Sequence, residues 1–133
     1  MYLPHPPFAA RYDALMSNRP KLALILESAR DILSNPTAWT QRVEALDDRG
    51  HECSPYDNHA CRYCASGAIK LACLELPEGT AEACIDWLNS VVLPDYSPED
   101  VLSEWNDEPT TTHAMILAFF NRAITLARET TLA

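Results

Sequence analysis

Metal-binding side chains are concentrated between residues 51 and 64 of the chain. His51, Cys53, His59, Cys61 and Cys64 lie within this stretch, and the last two form a C-x-x-C pair. Zinc takes four nitrogen or sulfur ligands in a tetrahedron, and a C-x-x-C pair can supply two of them. Cys61, Cys64, His59 and Cys53 are therefore a candidate zinc set, although the H-x-C pair lacks the spacing of a regular zinc knuckle.

Cys64 is also a candidate nucleophile, because it lies near a predicted helix start, where the backbone dipole favours a thiolate. His113 is predicted to face inward at the start of the last helix, and Asn106 or Asp107 precedes it closely enough to orient its imidazole. Cysteine, histidine and asparagine form the catalytic set of known cysteine hydrolases. These residues therefore raise the hypothesis of a cysteine-dependent hydrolase or acyl transferase that uses Cys64, His113 and Asn106.

The same residues also have a structural interpretation, which the sequence favours over the other two. Cys64 and Gly67 are small enough to let a neighbouring helix approach closely. Asn106 and Asp107 can bond nearby backbone amides, and His113 can satisfy a buried carbonyl or carboxylate, as most buried polar groups do. A redox role for the C-x-x-C pair is disfavoured, because the chain lacks the βαβ pattern of thioredoxin-like proteins.

Composition argues against several function classes. With 19 acidic and 10 basic residues, a net charge of -9 and no basic cluster, the chain is not expected to bind nucleic acid. No apolar run approaches the roughly 20 residues of a membrane helix, and no signal-peptide core is visible. We therefore expect a cytoplasmic protein with reduced cysteines. Three glycines are too few for nucleotide-binding loops, so no cofactor other than zinc is expected.

Helical periodicity predicts the elements that position these residues. We expect a mostly α-helical fold, with four to five helices in a single compact domain over residues 20–133 and an irregular N-terminal arm over residues 1–19. The first long helix should begin after Ser17 or Asn18, with Pro20 in its first turn, and end before Asn35-Pro36. Later helices are predicted to start at three further signals: Gly79-Thr80, Ser97-Pro98, and Thr110 or Thr111.

The segment that precedes the cysteine-rich stretch allows two interpretations. Residues 39–53 read as a small β-hairpin with its turn at Asp47 to Gly50, while residues 39–46 also suit a short helix. A helix capped by Asp57 or Asn58 should follow, because small and apolar residues including Cys61, Cys64 and Cys73 recur at helical spacing. Its thiols are therefore predicted to face the core.

Several short motifs resemble those of one family of small domains found in bacterial and phage proteins. They are Trp39-Thr40, the C-x-x-G-A-[LI] motif that begins at Cys64, Trp105-Asn106-Asp107, and Thr112-His113. The family is one of unknown function, and the resemblance covers nearly the whole domain. It implies a shared, mostly helical fold and brings no established activity.

These observations favour a small cytoplasmic accessory protein of bacterial or phage type. We expect it to act by binding another, unidentified protein rather than by converting a substrate. A cysteine-dependent hydrolase and a zinc-stabilised module are the two alternatives.

Overall fold

Two long amphipathic helices form the centre of the structure, which is a computed structural model that describes residues 6–98 and 101–129. They are α2 (Arg19–Ile32) and α6 (His113–Glu129), and they pack against each other more extensively than any other pair of elements. Each helix buries its apolar face and exposes the opposite face. The burial of these faces, rather than helix propensity alone, holds such helices in place.

The predicted helix starts are confirmed in part. The side chain of Asn18 accepts a hydrogen bond from the backbone N–H of Lys21, and Pro20 lies in the first turn of α2. For α6, Thr112 accepts a bond from the N–H of Met115, whereas Thr110 or Thr111 was the predicted cap. The Thr111 hydroxyl instead donates to the carbonyl of Trp105 at 2.7 Å. The prediction is therefore off by one residue.

The N-terminal segment is helical where the sequence predicted an irregular arm. Helix α1 spans Pro6–Met16 and packs against α4 (Thr80–Trp87). Proline is tolerated in a first turn, where the missing N–H has no partner to lose, so the prolines begin this helix instead of preventing it. Residues 1–5 lie outside the described residues.

A small antiparallel sheet follows α2 and a 3₁₀ turn at Pro36–Ala38. Its strands are β1 (Ala45–Asp47), β2 (Glu52–Cys53) and β3 (Ala60–Tyr63), in the order β2-β1-β3. The predicted hairpin is confirmed, and the alternative helix over residues 39–46 is wrong. The Asp47 carboxylate fixes the turn, because its Oδ1 accepts the backbone N–H groups of Arg49 and His51.

Strand β3 occupies the position where the sequence predicted the first turn of the cysteine-bearing helix. That helix, α3, spans Ala65–Ala72 with Cys64 as its N-cap. Asp57 does not cap it, because its carboxylate accepts the N–H of His59 within a turn. Cys64 and Cys73 are buried as predicted, while Cys61 is exposed on the strand.

The elements that follow α3 and precede α6 in the chain are α4, two irregular helical turns and α5. Helix α4 continues into a π-helical turn (Leu88–Val92) and a 3₁₀ turn (Leu93–Asp95), and α5 spans Leu102–Asp107. The predicted start of this helix at Ser97-Pro98 is wrong, because neither residue is helical and α5 begins at Leu102 with Val101 as its N-cap. Residues 99 and 100 lie outside the described residues.

The predicted fold class, a mostly α-helical domain with a small β-hairpin, is confirmed over the described residues, and α1 is the additional helix. None of the helices described here combines the length and the apolar character needed to cross a bilayer.

Candidate functional site

The amide side chain of Asn106 joins three distant segments of the chain. Asn106 lies in α5 and is completely buried. Its Oδ1 accepts hydrogen bonds from the indole Nε1 of Trp39 at 2.9 Å and from the backbone N–H of Ala65 at 3.0 Å. Its Nδ2 donates to the carbonyl of Thr40 and to Oδ1 of Asp107. We call this set of bonds the Asn106 network, and it satisfies both polar atoms of the amide.

The loop over residues 39–44 is bound to the end of α5 by further hydrogen bonds. Gln41 Nε2 donates to the carbonyls of Asn106 and Glu108, both at 2.9 Å. The backbone N–H of Arg42 donates to Asp107 Oδ1 at 2.7 Å. Arg42 has a φ of 78°, in the left-handed region of backbone conformations that residues other than glycine rarely adopt. The bond to Asp107 helps to hold this strained turn.

The start of α3 lies directly against the same loop. The backbone N–H of Cys64 donates to the carbonyl of Glu44 at 3.1 Å. A Cβ atom at position 67 would lie only 2.1 Å from that carbonyl oxygen. Glycine at this position is therefore required by the close approach of two backbone segments.

Cys64 caps α3 with its sulfur. Its Sγ accepts a hydrogen bond from the backbone N–H of Gly67 at 3.3 Å, and the residue is only 4 % exposed. Burial raises the pKa of the Cys64 thiol, and the backbone N–H groups of Gly67 and Ser66 offset only part of that effect. The thiol therefore stays protonated at neutral pH and acts as a weak capping acceptor.

The three residues of the predicted catalytic set have separate hydrogen-bond partners. His113 Nε2 donates to the carbonyl of Leu33 at 2.6 Å, and its ring lies 6.2 Å from that of Trp39. Asn106 reaches the neighbour of Cys64 through Ala65, but within residues 6–98 and 101–129 no hydrogen bond links Cys64, His113 and Asn106 to one another. The hydrolase hypothesis stays a prediction.

The four residues of the predicted zinc set lie in different surroundings. Cys64 is buried at the start of α3, and Cys61 is exposed on β3. Cys53 is half-buried on β2, and His59 is exposed in the turn between β2 and β3. In the described part of the chain, no three His, Cys, Asp or Glu side chains are grouped so that they could hold a metal ion. The zinc hypothesis also stays a prediction.

A cleft that the sequence did not reveal opens beside the Asn106 network. Its volume is about 500 Å³, and it is lined by the loop over residues 42–44, by α3, by one face of α4 with the turn that continues it, and by α5. This face has four residues at i, i+3, i+4 and i+7. Glu82, Ile85 and Asp86 belong to α4, and Asn89 belongs to the π-helical turn that continues it. We call this space the polar cleft. The only signal for it in the sequence is this mixed polar face on a helix whose other face is apolar.

The fold and the site define a small helical domain held at one point by a buried asparagine. This residue, Asn106 in α5, bonds the loop over residues 39–44 to the start of α3. The chain belongs to the family of unknown function DUF6197, whose family model matches residues 17–126. No curated protein and no solved structure matches the chain.

Proposed function

We propose that this chain is a small cytoplasmic accessory domain of bacterial or phage type that acts by binding another protein. The observation that supports this proposal is an apolar groove between α2 and residues 71–76, which comprise the end of α3 and the turn that follows it. The groove has a volume of about 520 Å³. Its aliphatic lining residues are Leu24, Ile25, Ile32, Leu71, Leu74 and Leu76.

Two of these leucines extend well into solvent. Leu24 is 65 % exposed and Leu74 is 57 % exposed, while Ile32, Leu71 and Leu76 are half-buried beneath them. Single exposed leucines are common on protein surfaces, but a contiguous apolar groove is typical of a binding surface. The partner is a protein that inserts aliphatic side chains between Leu24 and Leu74.

The five free cysteines support the proposed location. None of them is in a disulfide, and Cys61 is exposed to solvent. A chain that keeps an exposed thiol fits a reducing compartment better than an oxidising one.

Site-specific crosslinking tests the proposal. A photo-reactive amino acid at position 24 should give an adduct with a second protein in the cells that produce the chain. The same group at Arg49, which is exposed at the hairpin turn outside the groove, should not.

A surface variant identifies the groove as the cause of the adduct. Leu74→Lys should abolish the adduct from position 24, whereas Val91→Lys, at an exposed position outside the groove, should leave it unchanged. Equal labelling from positions 24 and 49, no adduct at all, or an adduct that contains only two copies of this chain would overturn the proposal.

A further inference from the structure

We propose that the polar cleft binds a positively charged group, an ammonium or a guanidinium, carried on an aliphatic stem. This site is separate from the apolar groove, so the inference goes beyond the proposed function and does not depend on it. It combines a cavity, an excess of carboxylates and a serine hydroxyl that is accessible from the cavity and has no partner in the described part of the chain.

The charges that line the cleft favour a cation. Four lining residues are acidic, namely Glu44, Glu82, Asp86 and Asp107, and two are basic. Lys70 is already bound to Glu44 in an ion pair, and Asp107 Oδ1 is occupied by the backbone N–H of Arg42. Glu82 and Asp86 remain, on adjacent turns of the same face of α4.

The carboxylates of Glu82 and Asp86 have neither a hydrogen bond nor an ion pair with any residue in 6–98 or 101–129. Like charges at i and i+4 of a helix repel each other. A bound cation between them would turn that repulsion into attraction, and the half-buried position of Asp86 would strengthen the effect by limiting screening.

The hydroxyl of Ser66 is the second, independent observation. Ser66 lines the cleft and is only 8 % exposed. Its hydroxyl makes no hydrogen bond to the described part of the chain, and its oxygen is accessible from the cleft rather than sealed in the core. Its oxygen is therefore available to accept a bond from an N–H group of a ligand.

The apolar residues of the cleft define the rest of the ligand. Val43 on the loop and Ile85 on α4 both line the cleft, and they can contact a short methylene chain. Arginine and lysine side chains combine such a stem with a cationic end, and so do free aliphatic amines and guanidines. Either source would satisfy the same site, since the recognised chemistry is the same.

Titrations followed by backbone amide NMR test the proposal. The probes are butylguanidinium, butylamine and a blocked pentapeptide with a central arginine, and butyrate is the anionic control. We expect saturable shifts of the amides at Ser66 and Ile85 with at least one cationic probe and none with butyrate. Binding of the free cations indicates a small-molecule ligand, whereas binding of the peptide alone indicates a basic side chain of a partner protein.

Matched variants separate the cleft from the overall charge. Ser66→Ala and the double variant E82Q/D86N should each weaken binding, the double variant by about tenfold or more, because a charge-assisted contact is lost. The double variant E75Q/E78Q removes two exposed acids outside the cleft and should leave the affinity unchanged.

Three results would overturn the inference. They are the absence of saturable shifts with every cationic probe, equal binding of butyrate, and equal loss of affinity in the two double variants. The substitutions in α4 and at Ser66 are conservative, so circular dichroism should show that all variants fold. None of these results bears on the crosslinking from the apolar groove.

Discussion

At the residue scale, Asn106 supplies hydrogen bonds to polar groups that would otherwise be buried without partners. The indole N–H of Trp39, the N–H of Ala65 and the carbonyl of Thr40 all bond to its amide. Each buried group that loses its partner costs about 1–3 kcal/mol. A single side chain therefore connects the loop over residues 39–44 to α3 and α5.

We predict that Asn106→Ala lowers the free energy of unfolding by about 2–4 kcal/mol. The alanine leaves the bonded groups of Trp39, Ala65 and Thr40 buried and unsatisfied. Urea denaturation measures the change. Asn58→Ala, at an exposed position in the turn before β3, is the control and should change the free energy of unfolding by less than about 0.5 kcal/mol. Equal effects of the two variants would contradict this account of the network.

A second prediction concerns the reactivity of the cysteines. Burial raises the pKa of Cys64, raises that of Cys73 to about 12, and raises that of Cys84 well above its ordinary value. Since the thiolate is the reactive form, iodoacetamide at neutral pH should alkylate exposed Cys61 first and leave these three unmodified until the chain unfolds. Peptide mass spectrometry reports each site. Labelling of Cys64 as fast as that of Cys61 would contradict this prediction and favour the hydrolase hypothesis.

The sequence identified the important side chains at this scale but not their partners. Asn106 was predicted either to orient a catalytic histidine or to bond nearby backbone amides. His113 was predicted either to be that histidine or to satisfy a buried carbonyl or carboxylate. Asn106 bonds to groups 41 to 67 residues away, and His113 bonds to Leu33, 80 residues away. Such distant pairings depend on the packing of the helices, which the local pattern of residues does not specify.

At the scale of elements, the junction of β3 and α3 depends on Gly67. Alanine is favoured over glycine within a helix by about 1 kcal/mol. However, a methyl group at this position would lie 2.1 Å from the Glu44 carbonyl oxygen, which is backbone and cannot rotate away. The steric conflict should therefore outweigh the gain in helix propensity.

We predict that Gly67→Ala destabilises the protein by about 1–3 kcal/mol. Ser28→Ala, at an exposed position within α2, should be neutral or slightly stabilising. Thermal denaturation followed by circular dichroism compares the two. If Gly67→Ala proved as stable as the unchanged protein, the loop and α3 would have to be farther apart than described here.

Strand β3 shows why a local pattern can mislead. Cys61, Cys64, Ala65 and Ala68 have helical spacing, so the sequence predicted one continuous helix. Residues 60–63 pair instead with β1, where Tyr63 lies opposite Ala45. The strand has only four residues, and its two central ones are exposed, so the alternation that marks longer strands is too short to recognise.

At the scale of the whole molecule, the fold class followed from periodicity, because α2, α3, α4 and α6 each repeat apolar residues at helical spacing. The sequence predicted an irregular arm over residues 1–19 because this segment is rich in proline, whereas Pro6 and Pro7 lie in the first turn of α1. The polar cleft could not be predicted from the sequence, because its walls come from a loop and three helices that meet only in the folded chain.

The core beneath these elements is held together by an aromatic cluster around Phe119. Its ring lies 5.0 Å from that of Trp105, 5.4 Å from that of Tyr96 and 5.7 Å from that of Phe120. Phe119 is completely buried. The cluster connects α6 with α5 and with the turn that follows α4.

We predict that Phe119→Ala lowers the free energy of unfolding by about 3–5 kcal/mol, because it leaves a cavity at the centre of this cluster. Phe119→Leu, which keeps most of the volume, should have less than half that effect. Leu24→Ala, on the surface, should change stability by less than about 0.5 kcal/mol. Chemical denaturation distinguishes the three. Similar losses for Phe119→Ala and Leu24→Ala would mean that this cluster does not hold the core.

The long sequence separations within the Asn106 network also bear on kinetics. Its bonds close loops of 41, 66 and 67 residues, and the entropy of closing such loops is lost before the bonds can form. The network is therefore expected to assemble after the rate-limiting barrier to folding, and interactions that form late mainly slow the reverse reaction. The buried asparagine would then govern how long each molecule stays folded more than how quickly it folds.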